Sequence, residues 1–309
     1  MTPRLSVIVV NYGSSALLEE NLTATLAGLR EASAVVVDNF TTAAERDRVR
    51  ELSAAHGWTA LLEDENHGFG GGVNRGVQAA LAAGASHVLV LNPDARIDAD
   101  SVAALMTAAQ GHPTIAAPHI DRPDGSAWFR GSVLDLADGT VRKAGPGELT
   151  PTAQRMPWLT GACLLITRDA WEATGGFDED YFLYWEDVDL SRRALDAGVR
   201  LVLVPEARAI HDAGGTQETA GTRAKSKVYY YFNARNRLLY AGAHLDPPTV
   251  RAWIRATPRV SWGILMRGGR RQLLTAPGGL LAVIRGSLEG IRDARSTSAE
   301  RARVYSAEK

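Results

Sequence analysis

Short apolar runs alternate with longer stretches of helical period through the first third of the chain. "LSVIVVNY" (5–12), "AVVVDN" (34–39), "TALLED" (59–64) and "HVLVLNPD" (87–94) are nearly continuous in Val, Leu and Ile, the pattern of strands covered on both faces. Between them, "SSALLEENLTATLAGL" (14–29), "TTAAERDRVRELSAAHG" (41–57) and "GGVNRGVQAALAAG" (71–84) read as helices. The second opens with Thr42 and Glu45 at capping-box spacing and ends at Gly57. Strand, helix, strand three times over predicts βαβ crossovers and a parallel sheet.

Residues 119–156 break this rhythm. "DRPDGSAW" and "AGPGELTP" are rich in Gly, Pro and Asp and read as an excursion from the sheet. "WLTGACLLITR" (158–168) and "RLVLVPEA" (200–207) return as strands. Beyond 223 the pattern is helical and basic, with breaks at "LDPP" and "TAPGG", and the final polar stretch reads as frayed. The expected division is a domain over 1–222 and a basic helical extension over 223–309.

Composition adds three points. With 309 residues, 45% hydrophobic and 22% charged, the chain is expected to be a soluble globular protein of one large or two modest domains. Its one cysteine, Cys163, excludes an intrachain disulfide and fits a reducing, cytoplasmic setting; inside "TGACLLIT" it reads as a buried thiol. "LSVIVV" is too short for a signal-peptide core, and no run approaches the roughly 18 apolar residues of a membrane span. The net charge of −1 conceals an asymmetry: residues 1–222 carry 17 basic and 30 acidic side chains, residues 223–309 carry 17 and 5. A basic tail region on an acidic body points to an anionic surface, substrate or lipid near the C-terminal part.

Ligands of open α/β sheets bind at the carboxyl ends of strands. Polar residues stand at three such ends: Asn11, then Asp38 and Asn39, then Asn92-Pro93-Asp94. One acid there is a turn former; three on one edge indicate a ligand crevice. The crevice is not a dinucleotide fingerprint, because in "GFGGGVNRG" no G-x-G-x-x-G register closes on glycine, and no Gly-Lys-Ser/Thr P-loop occurs. The glycines before the helix of Asn74 allow close backbone approach to a ligand, or simply a turn. In "FLYWEDVDLSRRALDAG" (182–198), Glu186, Asp187 and Asp189 suit a helix's first turn by the macrodipole. The dipole does not ask for the aromatic run before them; an aromatic wall beside an acid pair suits a sugar ring.

"SVIVVNY", "VVVDN", "NHGFGGGVNRG", "LVLNPDA", "WLTGACLLITRDAWEATGGFDEDYFLYWEDVDLSRRALDAG" and "HDAGGT" together resemble the family-2 inverting glycosyltransferases of GT-A fold, rhamnosyltransferase-like branch. The similarity runs over about 4–240, and "YYYFNARNRLLY" (229–240) resembles that branch as well. It implies a Rossmann-like nucleotide-diphospho-sugar transferase sheet, mostly parallel, with a helical C-terminal extension. It implies that Asp38 holds the base or ribose of a nucleotide diphosphate sugar, with Asn11 and the 66–76 loop, including Asn66 and Asn74, around it, and Gly161 nearby. Asp94 and His211 would ligate one Mg²⁺ or Mn²⁺ at the diphosphate; Asn92, where the family carries an acid, brings no charge but can bond ribose or a metal-bound water. Asp187 would be the general base, with Glu186 and Trp185 on the acceptor and Asp189 structural.

The expected reaction is inverting transfer of a sugar, rhamnose by the nearest branch, to a hydroxyl of a saccharide, lipid-linked or small-molecule acceptor, with no role for nucleic acid. The alternatives are a nucleotidyltransferase, which needs no Trp185–Asp187 wall, and a catalytically idle nucleotide-sugar or glycan binder, which Asn92 favours and Asp187 disfavours. In the basic segment, Trp253, Trp262, Met266, Arg267, Arg270 and Arg271 fit either a peripheral contact with the inner face of a membrane or a solvated helical cover, in a homodimer or alone.

Overall fold

The computed structural model describes residues 4–212, 225–275 and 277–307; residues 213–216 of "HDAGGT" lie outside them. The first part of the chain runs β1 (Leu5–Asn11), α1 (Ser15–Leu26), β2 (Ser33–Asp38), α2 (Ala43–His56), β3 (Thr59–Leu62), α3 (Gly68–Ala82), β4 (His87–Leu91), β5 (Ala95–Ile97) and α4 (Ala99–Ala108). The middle holds β6 (Thr114–Asp121), β7 (Ala127–Phe129), β8 (Ser132–Asp135), β9 (Val141–Lys143), β10 (Arg155–Trp158), β11 (Cys163–Thr167), α5 (Arg168–Thr174), α6 (Glu186–Asp196) and β12 (Arg200–His211). Among the described residues four helices follow: α7 (Lys227–His244), α8 (Pro247–Met266), α9 (Gln272–Thr275) and α10 (Gly278–Ala307).

The chain forms two compact units. The first comprises Met1–Ser132, Lys143–Leu149 and Pro157–Thr216. Its sheet has the order β3-β2-β1-β4-β11-β6-β12-β5, with β7 on β6. The β3-β2-β1-β4 half is parallel, as the βαβ pattern predicts. β11 runs antiparallel to both its neighbours, and β12 parallel to β6. The carboxyl ends of β1, β2, β4 and β12 and the amino end of β11 therefore share one edge of the sheet. That edge is where the polar residues collect.

The central strands are covered on both faces, Val7 to Val10, Val35 to Val37 and Val88 to Leu91 all being buried, which is why they read as unbroken apolar runs. Helix α2 starts and stops where its sequence says: the Thr42 hydroxyl accepts the Glu45 N–H, and Gly57 takes the left-handed φ of 72°. β12 extends past the expected 207. Pro205 has no N–H to give the ladder, and the register shifts between Val204 and Arg208; beyond that bulge the strand resumes and delivers His211 to the edge.

The glycine stretch differs from expectation. Gly70 lies inside α3 with Gly71 and Gly72, because the helix begins at Gly68, before the expected 71. The reason is packing: a Cβ at Gly72 would come within 2.8 Å of a Val10 methyl, and one at Gly76 within 2.5 Å of Ile8 Cγ2. The missing side chains let α3 lie directly on β1. Glycine in a helix normally gains about 0.5–1 kcal/mol on replacement by alanine. Gly76→Ala is expected to do the opposite and destabilise by about 1–3 kcal/mol through overpacking. Urea unfolding midpoints give the sign; a stabilised variant refutes this account of α3.

The second unit comprises Val133–Arg142, Thr150–Met156 and Gln217–Lys309. A single cut near 222 is therefore not what the chain does: two pieces of the 119–156 excursion join the C-terminal helices. Arg237 explains why. Its guanidinium donates to the Asp138 and Trp253 carbonyls and the Thr257 hydroxyl, and burial lowers its pKa to about 10. Trp253, expected on a basic exposed face, is fully buried: its indole N–H donates to Leu136 O at 2.8 Å and its ring stacks on Tyr240. The excursion is thus held by buried polar contacts that no periodicity announces.

Candidate active site

Helix α6 carries the acidic stretch. Tyr184 and Trp185, just before it, have φ of 65° and 76°, a conformation that costs bulky residues of order 1–3 kcal/mol and persists where a site demands it. The two left-handed residues turn the chain so that Glu186 and Asp187 fall in the first turn of the helix, where its dipole favours carboxylates. Asp187 Oδ2 accepts the Gly161 N–H at 3.1 Å, and Oδ1 the Val188 N–H at 2.9 Å. Burial pushes this carboxyl up to about 6, with those two N–H groups pulling the other way. Glu186 is raised well above its ordinary value, by burial first and the Asp187 charge second, and its Oε2 is buried without a partner. Asp189 is bound elsewhere, 2.7 Å from the Arg193 guanidinium, which also donates to Gly176 O.

At the neighbouring strand ends, Asp94 and His211 meet. Asp94 Oδ1 lies 3.0 Å from His211 Nε2, and Asn92 Nδ2 lies 3.4 Å from the same nitrogen. Both Asp94 and His211 are buried, and the edge of His211 meets Trp128, with ring centres 4.5 Å apart. His211 Nδ1 is buried without a partner. Among the described residues no group of three His, Cys, Asp or Glu side chains is placed to enclose a metal. A carboxylate and an imidazole on one point still match the sparse protein donor sets of Mg²⁺ and Mn²⁺ sites, which lean on substrate phosphates. Two adjacent residues link this pair to Asp187: Gly161 donates to Asp187, while Ala162 accepts the Asn92 N–H at 3.0 Å.

The ends of β1 and β2 form the third part. Asp38 is fully buried; Oδ2 accepts from Arg46 Nε at 3.2 Å, and Oδ1 has no partner. Arg46 in turn lies over the Phe40 ring, 4.6 Å from its centre. Asn11 Oδ1 accepts the Ser14 N–H and hydroxyl, while its Nδ2 is buried and unpaired. Asn66 Oδ1 accepts the Gly68 N–H, and Gly68, at φ 74°, sits so close to Phe182 that a Cβ would reach within 2.1 Å of that carbonyl oxygen. The start of α3 is thereby pinned to the segment that leads into α6.

Three expected roles change. Asn74 bonds the Phe177 N–H and carbonyl with its two amide ends, so it holds that turn instead of a nucleotide. The Gly161 N–H is engaged by Asp187. Trp185 is 6% exposed and offers no open ring face; Phe182 and Tyr184 are the half-exposed aromatics of the run. Two residues went unnoticed in the sequence. Arg46 is signalled only by its place in the first turns of α2, and Trp128 only by being an aromatic in a Gly- and Pro-rich excursion. Cys163 is fully buried, and burial pushes its thiol up to about 12, which removes it as a nucleophile.

One sheet edge thus gathers the buried Asp38 carboxylate, the Asp94–His211 pair and the raised Asp187 carboxyl, and relatives decide which chemistry they serve. The profile described as glycosyltransferase like family 2 matches residues 3–241. The chain belongs to the family-2 glycosyltransferases. It is 32% identical over 263 residues, 76% of this chain and 85% of the relative, to the N-acetylglucosaminyl-diphospho-decaprenol L-rhamnosyltransferase of Mycobacterium tuberculosis. It is 27% identical over 252 residues, 77% of this chain and 76% of the relative, to the low-salt glycan biosynthesis hexosyltransferase of Haloferax volcanii. The mannosyltransferase of Pyrobaculum calidifontis, solved with GDP-Man and Mn²⁺, shares the GT-A fold at a TM-score of 0.53 and 19% identity, over 98% of this chain and 85% of that one. The family-2 glycosyltransferase described here is thus an enzyme of glycosyl transfer, with the first unit as its GT-A sheet. Among its described residues no helix is long and apolar enough to cross a membrane.

Proposed function

We propose that this glycosyltransferase moves a deoxyhexose of the rhamnose kind from a nucleoside diphosphate sugar to a hydroxyl of a saccharide carried on a lipid diphosphate, with inversion. The observation that carries the reaction is Asp187: a carboxylate pushed up to about 6, oriented by two backbone N–H groups. The sugar and acceptor rest on the activity of the mycobacterial relative.

In the proposed step Asp187 takes the proton of the acceptor hydroxyl as its oxygen bonds to the anomeric carbon. The bond from that carbon to the diphosphate oxygen breaks, and its electron pair leaves with the nucleoside diphosphate. One displacement from the opposite face inverts the centre. A positioned base of this kind contributes about 10²–10⁴-fold. Glu186 beside it meets an acceptor hydroxyl through its buried, unpaired Oε2, and Phe182 and Tyr184 offer the apolar faces. Asp38 and Asn11 present an unpaired acceptor and an unpaired donor to the nucleoside. Asp94 and His211 would hold a divalent cation, which when bound neutralises charge on the diphosphate.

The test is an assay of dTDP-, UDP- and GDP-sugars with an N-acetylglucosaminyl diphosphate bearing a short prenyl chain. The expected result is release of free nucleoside diphosphate and a new glycosidic bond of inverted anomeric configuration by NMR. Pyrophosphate release in place of nucleoside diphosphate would identify a nucleotidyltransferase, and binding without turnover an idle binder.

A further inference from the structure

Helices α8 and α10 leave an apolar groove between them that no described residue of the second unit fills. Ile254, Pro258, Leu265, Val283, Ile284 and Ile291 are among the side chains lining about 330 Å³ of it. Its rim is open to solvent: Trp262 is 54% exposed, Leu281 69% and Leu288 64%. On α10, Leu280, Ile284, Leu288 and Ile291 recur at intervals of three and four, so they form one stripe along the helix. Contiguous exposed apolar surface of this kind marks an interaction face.

The charge around the groove says what it meets. Residues 247–301 hold ten arginines and no lysine against three carboxylates. Arg255 on α8, Arg270 in the turn after it and Arg295 on α10 are exposed and make no ion pair among the described residues. Guanidinium groups match phosphate with two parallel hydrogen bonds, and tryptophan prefers the boundary between apolar and polar phases. A second copy of this chain is a poor fit, because a two-fold interface would set each arginine rim against its own image.

We propose that the α8–α10 face docks on an anionic lipid bilayer, with Trp262, Leu281, Ile284 and Leu288 entering the acyl boundary and the surrounding arginines binding lipid phosphates. The docking is independent of catalysis by Asp187 and of the donor and acceptor proposed above.

The experiment uses the full chain with vesicles of phosphatidylcholine, alone or with about one third phosphatidylglycerol, a composition of the kind that attracts basic amphipathic helices. Wild type is expected to co-sediment with the anionic vesicles at low salt, to release as salt rises, and to ignore neutral ones. Two variants are compared: W262S/L281S/L288S, which removes exposed apolar side chains, and R255Q/R270Q/R295Q. Each is expected to weaken vesicle binding at least about tenfold with an unchanged melting temperature and unchanged turnover of a water-soluble acceptor. Wild type that stays in solution with anionic vesicles at low salt overturns the proposal. So does a dimer that the W262S/L281S/L288S change dissolves, since the face would then belong to a second copy.

Discussion

Asp187→Asn is expected to lower turnover at least about 10²-fold while leaving nucleoside diphosphate affinity within about twofold. The amide keeps the size of the carboxylate, and its one oxygen can still accept one of the two N–H groups, of Gly161 or of Val188. What it loses is proton affinity. The pH profile supplies an independent check. The group must be ionised to accept a proton, and burial holds it near 6 in place of its ordinary 3.8. The acid limb of kcat/KM is therefore expected to bend near pH 6, falling about tenfold per unit below it, and to be missing from the Asn variant's residual activity. The Glu186–Asp187 pair shares its protons, so the bend reports the pair. Glu186→Gln leaves Asp187 as the one titrating group of the pair, so the bend is expected to stay near pH 6 and the variant to keep more activity than Asp187→Asn. An Asp187→Asn enzyme with near-normal turnover would remove the base assignment.

Much of the sheet was visible in the sequence because parallel strands buried on both faces leave long Val- and Leu-rich runs, and β1 to β4 read that way. The strand-end residues Asn11, Asp38 and Asp94 followed from that assignment. β6 went unseen because "TIAAPHID" is rich in alanine and broken by Pro118, so its apolar signal is short and resembles a loop. The 119–156 stretch was legible as irregular, but not as two pieces of another unit, since that depends on Arg237 reaching Asp138, 99 residues away, and Trp253 reaching Leu136, 117 away. His211 was placed by resemblance; the physical reason it reaches the site is the bulge at Pro205, which looked like a strand end. Trp185 illustrates the opposite error. An aromatic before an acid pair suggests a sugar platform, but the left-handed backbone at 184 and 185 sends that ring inward and leaves Phe182 and Tyr184 at the surface. Asn74 was misread for a similar cause: polar side chains near a glycine stretch suggest a ligand, whereas this amide satisfies both backbone groups of Phe177.

Asp94→Asn and His211→Ala are each expected to lower turnover at least about 10²-fold and to weaken Mn²⁺ binding at least about tenfold, as read by water proton relaxation with nucleoside diphosphate present. The basis is that their side chains already converge, Oδ1 and Nε2 being 3.0 Å apart at the edge where β4 and β12 end. With two protein ligands, the loss of either leaves little to hold the ion, so the double variant is expected to bind Mn²⁺ no worse than the more damaged single one. Asn92 gives the complementary result. Its amide nitrogen lies 3.4 Å from His211 Nε2 and contributes no charge, so Asn92→Asp adds a carboxylate to the same point and is expected to tighten Mn²⁺ binding while leaving the fold unchanged. Water relaxation separates this from a purely structural Asp94–His211 contact. If both single variants bind Mn²⁺ as wild type does and only their melting temperatures fall, the pair is a buried hydrogen bond and the cation lies elsewhere. Loss of Mn²⁺ binding with intact melting, reversed in direction by Asn92→Asp, assigns the cation to the edge where β4 and β12 end.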